Sequence, residues 1–301
     1  MDIRVNSKNV YTDKNIKEKT IVNLSDVHFL NDVYINRLYQ LIELLKEIKP
    51  DIICIAGDFL DTFDDSILPR QKILDILKQI STIAKTVMSF AAHDYSSIMT
   101  DDDRNQALQI YFNQLKAIGN NFVPFLPDEK TTVDLGDFTV SGYSLPLNVP
   151  YSSENTDELM LLISSYITSL GLSSIDYNSL VCHSPIPFFN KNGLKEKSEM
   201  NINEINLILS GHLHAGMMPK FLEFLNLGLV SPDKKPFSGT HHNTSGLFAA
   251  SSEDLNIDIS RGFIKVPGTL RTELGEMGRF LYQFNQVYKS DIDLVKVKKM
   301  H

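Results

Sequence analysis

Five of the eight histidines in this chain, His28, His93, His183, His212 and His214, stand just after short apolar or β-branched runs. Asp26, Asp58 and Asp61 occupy the same kind of position. Taken singly, a post-strand Asp reads as a turn former or helix cap, and a lone His as a hydrogen-bonded structural residue. Taken together they form a donor set. Asp26-x-His28 and His212-x-His214 would place two side chains on one face of an extended segment, both within reach of one ion. Mixed imidazole and carboxylate donors suit borderline or hard divalent ions such as manganese, iron or zinc. No thiolate stands where a four-cysteine structural zinc site would need one. Cys54 and Cys182 lie inside apolar strand-like runs and read as buried free thiols. Six candidate ligands, Asp26, His28, Asp58, His183, His212 and His214, are too many for one tetrahedral ion and suit two.

The elements that would position these residues alternate in kind. Residues 20–24, 51–56 and 86–91 read as strands. Residues 31–49 and 71–84 carry apolar side chains at helical spacing, and Pro50 closes the first of these helices. Such a βαβαβ opening implies parallel strands covered by helices on both faces, with ligands bound at the C-terminal strand ends. Further on, 131–143 reads as a hairpin turning at Gly136-Asp137, and 158–170 as a helix. Residues 178–182 form a strand running into His183, and 205–209 a strand running into Gly211-His212. Residues 247–250, 256–260 and 280–297 read as further, antiparallel strands. An α/β fold with a two-sheet β-sandwich core and flanking helices holds all of this, as a single domain over 1–301.

Composition narrows the class. At 301 residues with 43% hydrophobic and 22% charged residues, the chain is neither disordered nor fibrous. Its formal charge of −8 argues against a nucleic-acid coat protein, which needs a basic surface. No stretch approaches the roughly 20 apolar residues that span a bilayer, and 1–19 is polar without a signal-peptide core. The expectation is a soluble chain, cytoplasmic, or membrane-associated if an N-terminal anchor has been removed.

In order, strand context and relative spacing, Asp26-x-His28, Gly57-Asp58-x-x-Asp61, His93-Asp94, His183 and Gly211-His212-x-His214 resemble the motif series of the calcineurin-like metallophosphoesterases. The resemblance spans 26–214 and implies a four-layer α-β-β-α fold with two divalent ions, manganese, iron or zinc. It implies that Asp26, His28 and His214 hold the first ion, that Asp58 bridges, and that His183 and His212 hold the second. His93, oriented by Asp94, would stabilise the transition state or protonate the leaving oxygen. The implied reaction is hydrolysis of a phosphomonoester, phosphodiester or pyrophosphate bond by a metal-bridged hydroxide. The loop 211–219 and Ser260-Arg261-Gly262 resemble one bacterial branch, which includes membrane-associated enzymes and enzymes acting on phosphorylated or nucleotide-linked lipids. A phosphorylated small molecule, nucleotide or lipid is the substrate class expected, with peripheral membrane contact.

One departure stands out. The family carries Gly-Asn ahead of its His-Asp, and that Asn ligates the second ion; this chain carries Ala91-Ala92. Alanine has no donor atom, so Ala92 marks an altered ligand position and leaves Asp58, His183 and His212 at the second ion. Two readings follow, a weakened enzyme or a phosphate-ligand binding protein that keeps the fold. The nearly all-apolar run 221–230 reads as core packing; alternatively it walls an apolar substrate group, with Lys234 and Lys235 near its phosphate and Tyr95 lining the same cleft. His241 and His242 read as solvated. Two divalent ions would halve the formal charge of −8 and leave the cleft attractive to phosphate.

Overall fold

The computed structural model describes residues 3–29, 35–63, 70–95, 101–147, 156–190, 193–212, 248–264 and 290–300. In chain order the elements begin with β1 (Ile3–Thr12), β2 (Lys19–Leu24), α1 (Ile35–Ile48), β3 (Ile52–Ala56), α2 (Arg70–Ser81) and β4 (Lys85–Ser89). Next come α3 (Ala92–Tyr95), α4 (Asp101–Lys116), β5 (Phe122–Pro124), β6 (Thr132–Asp134), β7 (Phe138–Tyr143), α5 (Thr156–Leu170) and β8 (Tyr177–Cys182). The last are β9 (Phe189–Asn190), β10 (Gly193–Leu194), α6 (Lys197–Met200), β11 (Ile205–Ser210), β12 (Phe248–Ala250), β13 (Asn256–Ile259) and β14 (Ser290–Lys299).

Two six-stranded sheets carry the fold, ordered β1-β14-β2-β3-β4-β5 and β12-β13-β11-β8-β7-β6. Strands β2 to β5 run parallel, as do β7, β8, β11 and β13. All the motif-bearing strands therefore deliver their C-terminal ends to the same edge of their own sheet.

Side-chain alternation decides the layers. Val22, Leu24, Ile53, Ile55 and Met88 face outward and pack under α1, α2 and α4. Their chain neighbours Ile21, Ile52, Cys54, Ala56 and Val87 face inward and meet Phe138, Val140, Tyr177, Val181, Leu207 and Leu209 of the second sheet. On the far side, Leu180, Cys182, Ile208 and Ile257 pack beneath α5. The result is the expected four-layer α-β-β-α sandwich. Both cysteines are buried free thiols, and burial pushes each thiol far above its ordinary pKa.

Three expectations are corrected, and one strand is added that the sequence reading did not include. Helices cover only one face of each sheet, because the other face is the inter-sheet core. The helix expected over 71–84 ends at Ser81, where Thr82 and Ile83 turn back onto its last carbonyls. The late strands are mixed: β12 is antiparallel to β13, whereas β13 is parallel to β11. Strand β14 is antiparallel to β2 but parallel to β1. Finally, the polar N-terminus forms β1, a ten-residue edge strand. Of the run 280–297, the part before Ser290 lies outside the described residues. The hairpin at Gly136-Asp137 is present, closed by Leu135 N donating to the Phe138 carbonyl.

Candidate metal centre

The site is assembled where β2, β3, β4, β8 and β11 end. After β2 and β3 the two chains keep company through main-chain bonds: Asp26 N donates to Gly57 O, His28 N to Asp58 O, and Phe29 N to Phe59 O. The Asp-x-His segment is not extended, contrary to expectation. Asp26, His28, Asp58 and His212 all have positive φ, between 45° and 72°. Left-handed backbone at non-glycine residues costs about 1 kcal/mol or more and persists only where surrounding bonds over-determine it. Here it turns each donor side chain into the space between the sheets.

Two glycines leave room for this. A Cβ at Gly211 would lie 2.4 Å from Ser25 Cβ and 2.6 Å from Asp26 Oδ2. A Cβ at Gly57, where φ is +74°, would lie 2.8 Å from the His183 ring. Close approach of backbone to a functional side chain is the use glycine is suited to.

Asp58 sits at the centre. Its Oδ2 lies 2.9 Å from His183 Nε2 and 3.9 Å from His28 Nε2, and its Oδ1 accepts from His93 N at 3.1 Å. His183 Nδ1 lies 2.9 Å from the Ala56 carbonyl and donates to it, which leaves Nε2 facing the Asp58 carboxylate, as a donor when the ring is protonated and as a metal ligand when it is neutral. His212 Nδ1 lies 3.1 Å from His183 Nε2, and His212 N donates to both Asp26 oxygens at 3.2 and 3.1 Å. Among the described residues two groups of potential ligand atoms result, His28/Asp58/His93 and Asp58/His183/His212, each within 4.8 Å of one another. Asp58 belongs to both. Carboxylate oxygens and imidazole lone pairs converging in a buried space fit a divalent cation.

The electrostatics agree. Burial works against charge on Asp58, yet His183 and His93 hold its carboxyl well below the usual range. Burial likewise opposes protonation of His183, but Asp58 and Asp26 push that imidazole up to about 10. His28 is raised as well: burial opposes, while its bond to Asp61 and the carboxylates of Asp58 and Asp26 outweigh it.

Asp61 and Asp94 have roles the sequence did not assign. Asp61 Oδ1 lies 3.0 Å from His28 Nδ1, which aims Nε2 at Asp58. The Asp61 carbonyl lies 2.8 Å from His93 Nδ1. Orientation of His93, expected from Asp94, thus falls to the main chain of Asp61. The Asp94 carboxylate instead accepts three backbone N–H groups, from Asp58, Leu60 and Ala91, each at 2.9 Å. It staples the end of β4 to the end of β3. Burial and the charge of Asp58 push it up to about 7.

The remaining candidates separate. Ala92 is exposed at the start of α3. Tyr95 is buried, its ring stacked on Phe90 at 6.2 Å within the core under α4. His214, Lys234, Lys235, His241, His242 and the run 221–230 lie outside the described residues. The Ser260-Arg261-Gly262 turn is fastened to both sides of the centre: Ser260 N donates to Ser210 O, Phe263 N to Ser25 O and Ile264 N to Asp26 O. Among the described residues, no helix is long and apolar enough to cross a membrane.

The sequence model of the calcineurin-like phosphoesterases matches residues 19–216. The chain is 24% identical over 253 residues to an uncharacterized metallophosphoesterase of Bacillus subtilis (strain 168), YkuE, covering 82% of this chain and 73% of that protein. Among solved structures it is similar to the phosphopantetheinyl hydrolase PptH of Mycobacterium tuberculosis, at 12% identity and a TM-score of 0.45. That match covers 87% of this chain and 94% of the other. It is also similar to a dimetal phosphatase of Danio rerio, at 10% identity and a TM-score of 0.40, covering 83% of this chain and 89% of the other.

Proposed function

The chain belongs to the calcineurin-like phosphoesterase family, and from that premise we propose a binuclear centre in which Asp58 bridges two divalent ions. A metal-dependent hydrolase acting on phosphoesters is what the family membership supports. The observation that carries the binuclear reading is that one buried carboxylate is shared by two histidine-bearing groups. Asp26, His28 and His214 complete the first ion's ligands, and His183 and His212 the second's. Manganese, iron or zinc suits that donor set. Bound there, the ions would supply Lewis acidity to a phosphoryl oxygen and acidify a water molecule.

The chain's own residues do the rest. Asp61 fixes the tautomer of His28, and Ala56 that of His183, so both present Nε2 to the centre. His93 donates Nδ1–H to the Asp61 carbonyl, so any proton it delivers to a departing oxygen comes from Nε2. His93→Gln is expected to lower kcat by about 10²- to 10⁴-fold, the usual contribution of a positioned acid. Metal content, read by elemental analysis, stays within error; if the ions leave with His93, the residue is a ligand and not the acid.

The substrate is a phosphorylated small molecule, a nucleotide or a lipid, and the bond a phosphomonoester, phosphodiester or pyrophosphate. Turnover of p-nitrophenyl phosphate against bis(p-nitrophenyl) phosphate separates the first two bond types. Lys234 and Lys235 are proposed on the substrate side, whereas Tyr95, packed in the core on Phe90, is not, and contact with a membrane surface would accompany a lipid substrate.

A specific observation supports a second reading, a phosphate-ligand binding protein with impaired turnover. Ala92 offers no donor atom where the family supplies an amide oxygen. Losing even a supporting partner of a ligand costs about 10- to 100-fold in metal affinity. Ala92→Asn is therefore expected to tighten the weaker metal site by at least about tenfold and to raise turnover with it. Isothermal titration with Mn²⁺ measures the first and p-nitrophenyl phosphate hydrolysis the second. A wild-type chain already saturated with two ions and turning over as fast as the variant would remove the impaired reading.

A further inference from the structure

Among the described residues, the charged side chains of the inter-sheet core gather in one layer, below the strand ends that carry the metal centre. Alternation along the strands points Asn23 of β2, Asp293 of β14, Asp258 of β13, and Asn6 and Lys8 of β1 into it. Asn23 and Asp293 are register partners on neighbouring strands, so their side chains stand side by side. Asn23, Asp258 and Asp293 are fully buried.

The polar inventory of this layer does not close. Lys8 Nζ bonds Asp258 Oδ1 and lies 3.5 Å from Asp293 Oδ1. Asn23 Nδ2 donates across the sandwich to Asp258 Oδ2 at 2.9 Å and to the Ser210 carbonyl at 3.2 Å. What remains is acceptor-rich: among the described residues Asn23 Oδ1 has no hydrogen-bond partner, and the Asp293 oxygens meet only the Lys8 ammonium at 3.5 Å and a marginal contact from the Asn6 amide, neither a well-formed hydrogen bond. Two buried carboxylates share a single ammonium, which leaves one negative charge over. Asp291 is engaged elsewhere, with Asn6 Nδ2 at 3.4 Å and Arg4 Nε at 3.6 Å.

A single proton resolves both the spare charge and the poorly satisfied acceptors. We propose that Asp293 stands as a neutral carboxylic acid whose O–H is donated to Asn23 Oδ1, and that this Asp293–Asn23 brace is a positioning device for the metal centre. Asn23 lies three residues before Asp26, and Ser210, which it grips, lies two before His212. The brace therefore sets the gap between the ligand loops of the two sheets. Burial, with the charge of Asp258 beside it, pushes the Asp293 carboxyl up to about 7 against the pull of Lys8 and Asn6.

The linkage has a definite sign. A carboxyl raised in the folded state lends stability that is whole below the unfolded value of 3.8 and is lost as pH rises to about 7. Asp293→Asn keeps a donor to Asn23 at every pH. Its melting temperature should therefore gain on that of the wild type from pH 5 to 7 and hold a constant lead above. Titration of the metal ligands, common to both proteins, cancels in the difference. Infrared difference spectra of wild type minus Asp293→Asn at pH 6 should show a protonated-carboxyl C=O band that disappears by pH 8.5. An absent band, or a melting-temperature gap independent of pH, overturns the neutral acid. A wild-type melting temperature raised by potassium chloride over choline chloride, and not in Asp293→Asn, would put a cation in the proton's place and also overturn it.

The positioning half rests on the binuclear reading, whereas the infrared and melting measurements do not, so the two fail separately. Asn23→Leu should weaken Mn²⁺ binding about tenfold, the lower range for a ligand's supporting partner. Asn23→Ser serves as the smaller change should the leucine variant not fold. Wild-type Mn²⁺ affinity in a folded Asn23 variant would overturn the positioning role.

Discussion

Asp58→Asn is expected to lower phosphoester turnover by about a thousandfold or more, since Lewis-acid stabilisation of the transition state amounts to several kcal/mol. The amide keeps the shape of the carboxylate, and its Oδ1 can still accept from His93 N, so the fold should survive. What it loses is the charge and the second oxygen lone-pair set that His183 and His28 share. Both histidine groups contain Asp58, so this one change disturbs both ions, while a change at His183 or His28 disturbs one. Elemental analysis of the purified variant should therefore show both ions depleted together. Loss of one ion with the other intact would mean that Asp58 does not bridge.

Gly211→Ala should be nearly as damaging without touching a donor atom. The added Cβ would meet Ser25 Cβ and Oγ at 2.4 Å and Asp26 Oδ2 at 2.6 Å. Ser25 Cβ is fixed by its backbone, and the termini Ser25 Oγ and Asp26 Oδ2 are held by their mutual hydrogen bond and by His212 N. Ser25 and Asp26 are buried and pinned through their carbonyls by Phe263 N and Ile264 N. Overpacking of this kind costs about 1–3 kcal/mol. It acts on the bond that joins His212 N to Asp26, so the melting temperature and the metal content should fall together. Thermal melting with and without added Mn²⁺ measures it: the stabilisation that Mn²⁺ gives the wild type should be largely lost in the variant. A variant with wild-type melting and metal response would show that Gly211 is not held against Asp26.

Much of this was legible in the sequence, for a physical reason. Strand β3 (IICIA) is buried on both faces and reads as an unbroken apolar run. Strands β2, β8 and β11 carry the shorter apolar stretches Ile21-Val22, Leu180-Val181-Cys182 and Leu207-Ile208-Leu209, each followed within four residues by an Asp or His donor. The donors sit at those ends because the parallel strands of each sheet run the same way. Strand β1 was not legible. Its inward face carries Asn6 and Lys8, which serve the buried polar layer, and this breaks the alternation that would mark a strand. Helix α4 was missed because its first six residues are polar and its apolar spacing begins only at Ala107.

The site was legible as a set of residues but not as a geometry. Nothing in the letters Asp-Val-His announces a left-handed backbone at Asp26 and His28, since hydrogen bonds to the neighbouring strand end impose it. Asp94 follows His93 and invites pairing with it, yet its carboxylate is spent on three main-chain amides from two loops. Those partners are more than 30 residues apart in two of the three cases. Asp61 was visible in the Gly57-Asp58-x-x-Asp61 motif, but its contact with His28 depends on how the loops after β2 and β3 pair.

The measurement that bears most directly on the centre is metal stoichiometry coupled to turnover. The wild-type chain, stripped with EDTA and titrated with Mn²⁺ while p-nitrophenyl phosphate hydrolysis is followed, should bind two ions per chain, the second more weakly because of Ala92. Hydrolysis should be absent before the first ion and should rise with occupancy of the second. Binding of a single ion with full turnover, or hydrolysis that survives complete removal of metal, would contradict a two-ion centre bridged by Asp58.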